Sequence, residues 1–382
     1  MAGRKWRITF AIIVCASALG QAQADFVPGR VYVSGRTLEP CAWGPNERIF
    51  EFDPLTGESR EFAVLPEQYC TGLTGLTFTP DGAALRASVW LPSTILEFDG
   101  NANVGVALGP GDGILGPLGS NNIAYDADGN FYVVNLGSRN IMRFPAGGGP
   151  GTIFANLSDG ITGPGPIALA PNGDLYFAVA GRREIMRFSG PHQGTLFDTL
   201  PAEAIGVASL TVDGSNNLFV LGLEGIYRYE GGNPGSRQHL ADVRASFQFA
   251  SMTIAPDDSA LYVAALNRVF SIDPDAGTVT ELGFIDPTYV VAGSGVAVYI
   301  PEPSTLILLL IGLAAGVRRR SSHSPPPIRA TCSLISLARR RIAAKSRSAN
   351  HAGSNSALTN PTPAAPAFST AWTFSSVTPL VG

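Results

Sequence analysis

The chain has 382 residues, 45% of them hydrophobic and 15% charged, with a formal net charge of −4. That is ample length for a full core, and the modest overall charge conceals a division: all 30 acidic residues lie between Asp25 and Glu302, where the basic residues are 14 arginines and no lysine. So acidic a body repels phosphate backbones and anionic headgroups, which excludes nucleic acid and anionic lipid as its partners.

The amino terminus reads as an export signal. Arg4, Lys5 and Arg7 form a positive start, residues 8–19 an apolar stretch, and Ala22-Gln23-Ala24 a small-residue cleavage site before Asp25. A membrane span needs about 20 apolar residues, so residues 1–24 are expected to be a cleaved signal peptide. An uncleaved amino-terminal anchor is the alternative.

Residues 25–300 carry an internal repeat. An apolar-apolar-x-aromatic pattern recurs at Ile49-Phe50-Glu51-Phe52, Ile95-Leu96-Glu97-Phe98, Ile141-Met142-Arg143-Phe144, Ile185-Met186-Arg187-Phe188 and Ile226-Tyr227-Arg228-Tyr229, with a weaker copy at Val269-Phe270-Ser271-Ile272. A tight-turn pair precedes each of the last five: Asp81-Gly82, Asp128-Gly129, Asn172-Gly173, Ser215-Asn216 and Asp257-Asp258. Such turns between apolar runs are a strong hairpin signal. A period in the low forties built of four short strands is the length of a propeller blade. Six copies predict an all-β, six-bladed β-propeller, with a β-sandwich array as the competing architecture.

In the third unit the spacing predicts strands at 122–125, 131–134, 141–144 and 152–155, running outward from the axis. The first unit lacks an inner strand, and residues 295–300 can supply it, closing the ring and removing the open edges. The units resemble NHL-type propeller repeats, most clearly at residues 129–144 and 173–188. That resemblance is one of architecture and assigns no reaction.

Cysteine use fits an oxidising compartment. Cys15 leaves with the signal peptide and Cys332 lies beyond the body, so Cys41 and Cys70 remain as an expected disulfide. Its loop would contribute about 3 kcal/mol in the chain-entropy model. Two unpaired thiols are the alternative.

Candidate binding residues are placed on the face formed by loops between second and third strands and between blades. Arg139, Arg182, Arg183 and Arg268 could form a basic rim suited to a carboxylate or sulfate on a glycan through forked hydrogen bonds. Local pairing of these arginines with nearby acids is the plainer reading. No catalytic, cofactor or metal residues are expected. The inner-strand starts Gly75, Asn122, Pro166, Ser209, Ser251 and Gly295 offer no carboxylate for the divalent cation of gluconolactonase-like propellers. His192 and His239 fall on outer positions, and Asp126-Ala127-Asp128-Gly129-Asn130 reads as a β-turn and not a calcium loop.

Residues 301–320 read as a second address. Pro301-Glu302-Pro303 precedes an apolar run at 306–317 and a basic stop at Arg318, Arg319 and Arg320. The run is expected to form a short hydrophobic helix of about 18 Å against a bilayer core of about 30 Å, enough for transient insertion. The segment resembles the PEP-CTERM sorting signal of Gram-negative bacteria. The resemblance implies an exosortase-like membrane protease as partner, an inner-membrane intermediate, and delivery to the cell surface or extracellular space, often in exopolysaccharide-producing cells. Residues 321–382 lack any Asp or Glu and are expected to be a disordered extension or an out-of-frame translation. The sequence therefore points to an exported surface or matrix binding or structural protein, with surface polysaccharide as a candidate partner. A metal-dependent lactonase or lyase on the same fold is the alternative.

Overall fold

A computed structural model describes residues 26–299, apart from 37–46, 70–71, 115–117, 136, 157–158, 160–164, 180–181, 205, 245–249 and 286–289. The expected signal peptide, the Cys41–Cys70 pair, the sorting segment and the extension lie outside the described residues.

The first blade contains β1 (Val31–Arg36), β2 (Glu47–Phe52) and β3 (Ser59–Val64). The second contains β4 (Leu73–Phe78), β5 (Leu85–Val89), β6 (Thr94–Phe98) and β7 (Val104–Leu108), and the third β8 (Leu118–Tyr125), β9 (Phe131–Asn135), β10 (Asn140–Phe144) and β11 (Thr152–Ala155). The fourth contains β12 (Ile167–Leu169), β13 (Leu175–Ala178), β14 (Glu184–Phe188) and β15 (Gly194–Thr199). The fifth contains β16 (Val207–Val212), β17 (Leu218–Gly222), β18 (Ile226–Tyr229) and β19 (Gln238–Ala241). The sixth contains β20 (Ala250–Ile254), β21 (Leu261–Ala265), β22 (Arg268–Ile272) and β23 (Val279–Phe284). The last strand, β24 (Val290–Val298), returns to the first sheet and gives the order β24-β1-β2-β3. The described residues thus form six four-stranded sheets, the expected six-bladed propeller.

Turn chemistry explains the hairpins. Each predicted turn pair places a residue in the left-handed region: Gly82 (φ +67), Gly129 (φ +80), Gly173 (φ +92), Asn216 (φ +64) and Asp258 (φ +60). Gly, Asn and Asp are the residues that tolerate that conformation. Carboxylates secure several turns. The Asp81 carboxylate accepts from the Thr79 hydroxyl at 2.7 Å, Asp99 from the Asn103 amide at 2.9 Å and Asp257 from the Ser259 hydroxyl at 2.6 Å, while Asp273 accepts from the Ala276 and Asp275 backbone N–H groups.

These hydrogen bonds hold the four carboxyls below their ordinary range. A depressed folded-state value contributes stability above the unfolded value of about 3.9 and loses it as pH falls through the folded values. Thermal melts of the described domain should therefore be flat from pH 7 to about 4 and fall steeply below it. A melting temperature insensitive to pH down to 3 would contradict this account of the turns.

Six hydrophobic clusters hold the blades together, one in each seam. A recurring irregularity shapes them. In every sheet the pairing of the third and outer strands shifts register, leaving one extra residue on the outer strand: Phe62, Ala107, Phe154, Phe197, Leu240 and Leu282. A bulge of this kind re-aims a side chain. Phe62 packs on Phe26 and Tyr32, Phe154 on Tyr132, and Phe197 on Tyr176 and Tyr229 of the following blade. Leu240 and Leu282 join the clusters between blades five and six and between six and one. Burying one such side chain contributes about 1.5–3 kcal/mol.

The ring closes between the expected partners, through a strand that starts at Val290, five residues before the expected 295, and ends at Val298. β24 pairs antiparallel with β1, matching Val298 to Val31, Ala297 to Tyr32 and Val296 to Val33. The Gly29 N–H donates to the Tyr299 carbonyl at 2.8 Å, and the Tyr299 N–H to the Arg30 carbonyl at 3.1 Å. Phe26, Tyr32, Phe62, Phe78 and Tyr299 interlock over this junction at ring separations of 4.9–5.6 Å.

Candidate functional site

The inner strands end around an axial opening of about 500 Å³. Every blade contributes apolar residues to its wall, among them Leu76, Ile123, Ile167, Leu210, Met252 and Val296. Thr77, Thr211 and Thr253 lie one step further along three of these strands. The mouth is formed by the turns between first and second strands, with Pro80, Pro171, Pro256, Asp126, Asp213 and Asp258. Those turns lie at the opposite end of the strands from the loops on which the sequence places its candidate rim. The periodicity revealed where blades begin and end, but not that the first-turn end of the axis holds an opening.

The carboxylates at this mouth are committed to the turns. Asp126 accepts from the backbone N–H groups of Asp128 and Asn130, the Asn130 amide and the Tyr132 hydroxyl, the β-turn expected there. Asp213 repeats the arrangement with Ser215 and Asn217. Asp258 reaches across the seam to accept from the Gly214 N–H at 2.9 and 3.1 Å, and the Asn216 side chain likewise accepts from the Asn172 N–H at 2.9 Å. These contacts latch blades four, five and six together at the mouth. Among the described residues no group of three His, Cys, Asp or Glu gathers as a metal ion would require.

The four rim arginines fall on the expected loop face, in blades three, four and six. Arg139 is exposed in the β9–β10 turn with φ +51. Arg182 is exposed, and its carbonyl accepts from the Val207 N–H of the next blade at 2.9 Å. Arg183 directs its guanidinium to the Leu200 carbonyl at 3.2 Å. Arg268 pairs with Glu281 at 2.8 Å and lies 5.0 Å from the Phe284 ring centre. Arg183 and Arg268 are therefore engaged within the outer halves of their own blades, and Arg268 is separated from the others by the whole fifth blade. The histidines also lie on outer positions: His192 contacts Asp159 at 2.7 Å in the β14–β15 turn, and His239 on β19 contacts Asp242 at 3.3 Å.

A second opening, of about 490 Å³, lies in the seam between blades two and three. Its central residues, Arg86, Glu97 and Tyr125, escaped the sequence reading because the repeat was tracked along the third strands and first turns alone. Aligning the second and outer strands would have exposed Arg86 and Ala107 as departures from the repeat.

The PEP-CTERM protein-sorting motif matches residues 300–321. Comparison with curated proteins gives no match. Among solved structures, a chain of the nidogen/laminin complex is 16% identical, with a TM-score of 0.53 over 70% of this chain and 98% of that one. Streptogramin B lyase is 16% identical with a TM-score of 0.44, over 68% and 75% of the two chains. Virginiamycin B lyase from Staphylococcus aureus is 17% identical with a TM-score of 0.43, over 57% and 72%. The first likeness shows the propeller fold alone.

Proposed function

We propose, on the premise of a PEP-CTERM sorting motif attached to a six-bladed propeller, that this chain is an exported surface or matrix binding module released from its membrane tail by an exosortase-like protease. One observation carries the reading. The ring-closing strand ends at Val298, Tyr299 is fixed to Gly29 and Arg30, and the motif begins at residue 300. A cut at the motif leaves every blade complete, whereas a cut ten residues earlier would remove the closing strand. The fold and the signal are joined at the point where proteolysis is harmless.

On this reading residues 306–317 insert transiently in the inner membrane of a Gram-negative cell, Arg318–Arg320 hold the cytoplasmic side, and the freed domain reaches the surface. The tail is then an address and not a permanent anchor. Surface polysaccharide is the partner class that suits an acidic body with local arginine sites. Cys41 and Cys70 would stabilise the first blade as a disulfide outside the cytoplasm.

Intact-mass measurement on protein recovered from the native host tests the proposal. The expected species starts near Asp25, ends near Pro301, and is lighter by two hydrogens before reduction. Mature material that retains residues beyond Arg320 would overturn the sorting account.

A further inference from the structure

The seam between blades two and three is built differently from the other five. At the second-strand position facing each seam, the register aligns Tyr32, Arg86, Tyr132, Tyr176, Phe219 and Tyr262. Five of these are aromatic and one is arginine. At the outer-strand bulge five blades insert Phe or Leu, while blade two has Ala107. Both plugs that seal a seam are thus missing from the same seam, and the opening of about 490 Å³ lies there. Its volume falls within the range of about 300–1,000 Å³ typical of small-molecule sites.

The chemistry inside is specific. Arg86 donates from Nε to Glu97 Oε2 at 2.9 Å, with Nη2 also 2.9 Å from that oxygen, and its guanidinium lies 5.1 Å from the Phe131 ring centre and 5.7 Å from that of Tyr125. A donor fork and a carboxylate acceptor therefore sit side by side on an aromatic wall completed by Phe144. The Tyr125 ring lines the cleft, and its buried hydroxyl lies beside the Arg86 guanidinium and interacts with it.

We propose that this seam binds a neutral sugar residue of a glycan. A simple anion is disfavoured because Glu97 and Asp81 flank the arginine, and a purely aliphatic group would desolvate the Arg86–Glu97 pair without returning a hydrogen bond to it. A pyranose ring answers both demands. Its hydroxyls can accept from Arg86 and donate to Glu97, and its C–H face can lie against the aromatic wall. This site rests on the binding-module reading above and names its ligand class.

The test uses an array of defined neutral and uronic-acid oligosaccharides with the mature domain and two variants. Ala107→Phe restores the plug used by three other blades, so it should fold with an unchanged or higher melting temperature and lose at least about tenfold in binding to a neutral oligosaccharide. Glu97→Gln keeps the cleft open and should weaken the same interaction severalfold. The proposal is overturned if the wild type binds no neutral oligosaccharide, or if Ala107→Phe and Glu97→Gln both bind as tightly as the wild type. Because the intact-mass measurement is independent of any ligand, an empty array with correct processing would remove this site and leave the export reading standing.

Discussion

A chain ending at Pro287 will fail to fold, whereas one ending at Tyr299 will melt cooperatively at the temperature of the full domain. The shorter chain lacks β24 and therefore the innermost strand of the first blade. Val296, Ala297, Val298 and Tyr299 are all buried, and their loss also exposes Val31, Val33 and Phe26 beneath them. Burial of about 1.5–3 kcal/mol for each large side chain approaches the whole stability of a domain, about 5–15 kcal/mol. It also leaves β1 as an unpaired apolar edge, an invitation to aggregation. Far-UV circular dichroism and protease resistance of the two truncations check this. Tyr299→Ala in the full domain is the graded version and should cost about 3–5 kcal/mol, as for loss of other buried aromatic residues. Cooperative unfolding of the shorter chain within a few degrees of the longer one would refute the closure argument.

Substituting Glu51 by Ala should destabilise the domain by about 2–3 kcal/mol, while Arg60→Ala should cost no more than about 1 kcal/mol. Glu51 is 5% exposed, although it occupies the polar position of the apolar-apolar-x-aromatic repeat. Its carboxylate accepts from Arg60 Nε at 3.1 Å and Nη2 at 2.8 Å and from the Tyr32 hydroxyl at 3.2 Å, with Arg30 Nε at 3.8 Å. Arg30 also pairs with Asp53. Burial, reinforced by the Glu51 charge, pushes the Tyr32 phenol well above its ordinary range, so the hydroxyl stays a donor. Removing Glu51 strands that buried donor, whereas the Arg60 side chain is 68% exposed and can turn to water. Urea titration of both variants measures the difference. Equal losses would mean that the ion pair, and not the buried hydroxyl, governs the site.

The repeat itself was legible because its signals are local. Asx-Gly turns and β-branched runs impose their conformation wherever they stand, so third strands such as residues 141–144, the turn at Asp128-Gly129 and the return of the chain to the first blade could be placed from residue order alone, though the returning strand starts at Val290 and not at 295. The sorting signal was equally readable, since a membrane enzyme must recognise it as a linear segment. The axial opening at the first-turn end was not, because it is lined by residues from six different sheets. Nor did spacing indicate that Arg183 and Arg268 would be occupied by Leu200 and Glu281, partners brought near by the outer strands.

By itself, then, the sequence determined the number of blades, the return of the chain that shuts the ring and the position of the sorting motif, all properties of local propensity and order along one chain. Only the tertiary structure decided that Glu51 is buried and that Arg86 and Ala107 open one seam among six. A seam is made by residues from different blades, and its packing depends on which side chain a bulge turns into the space between them.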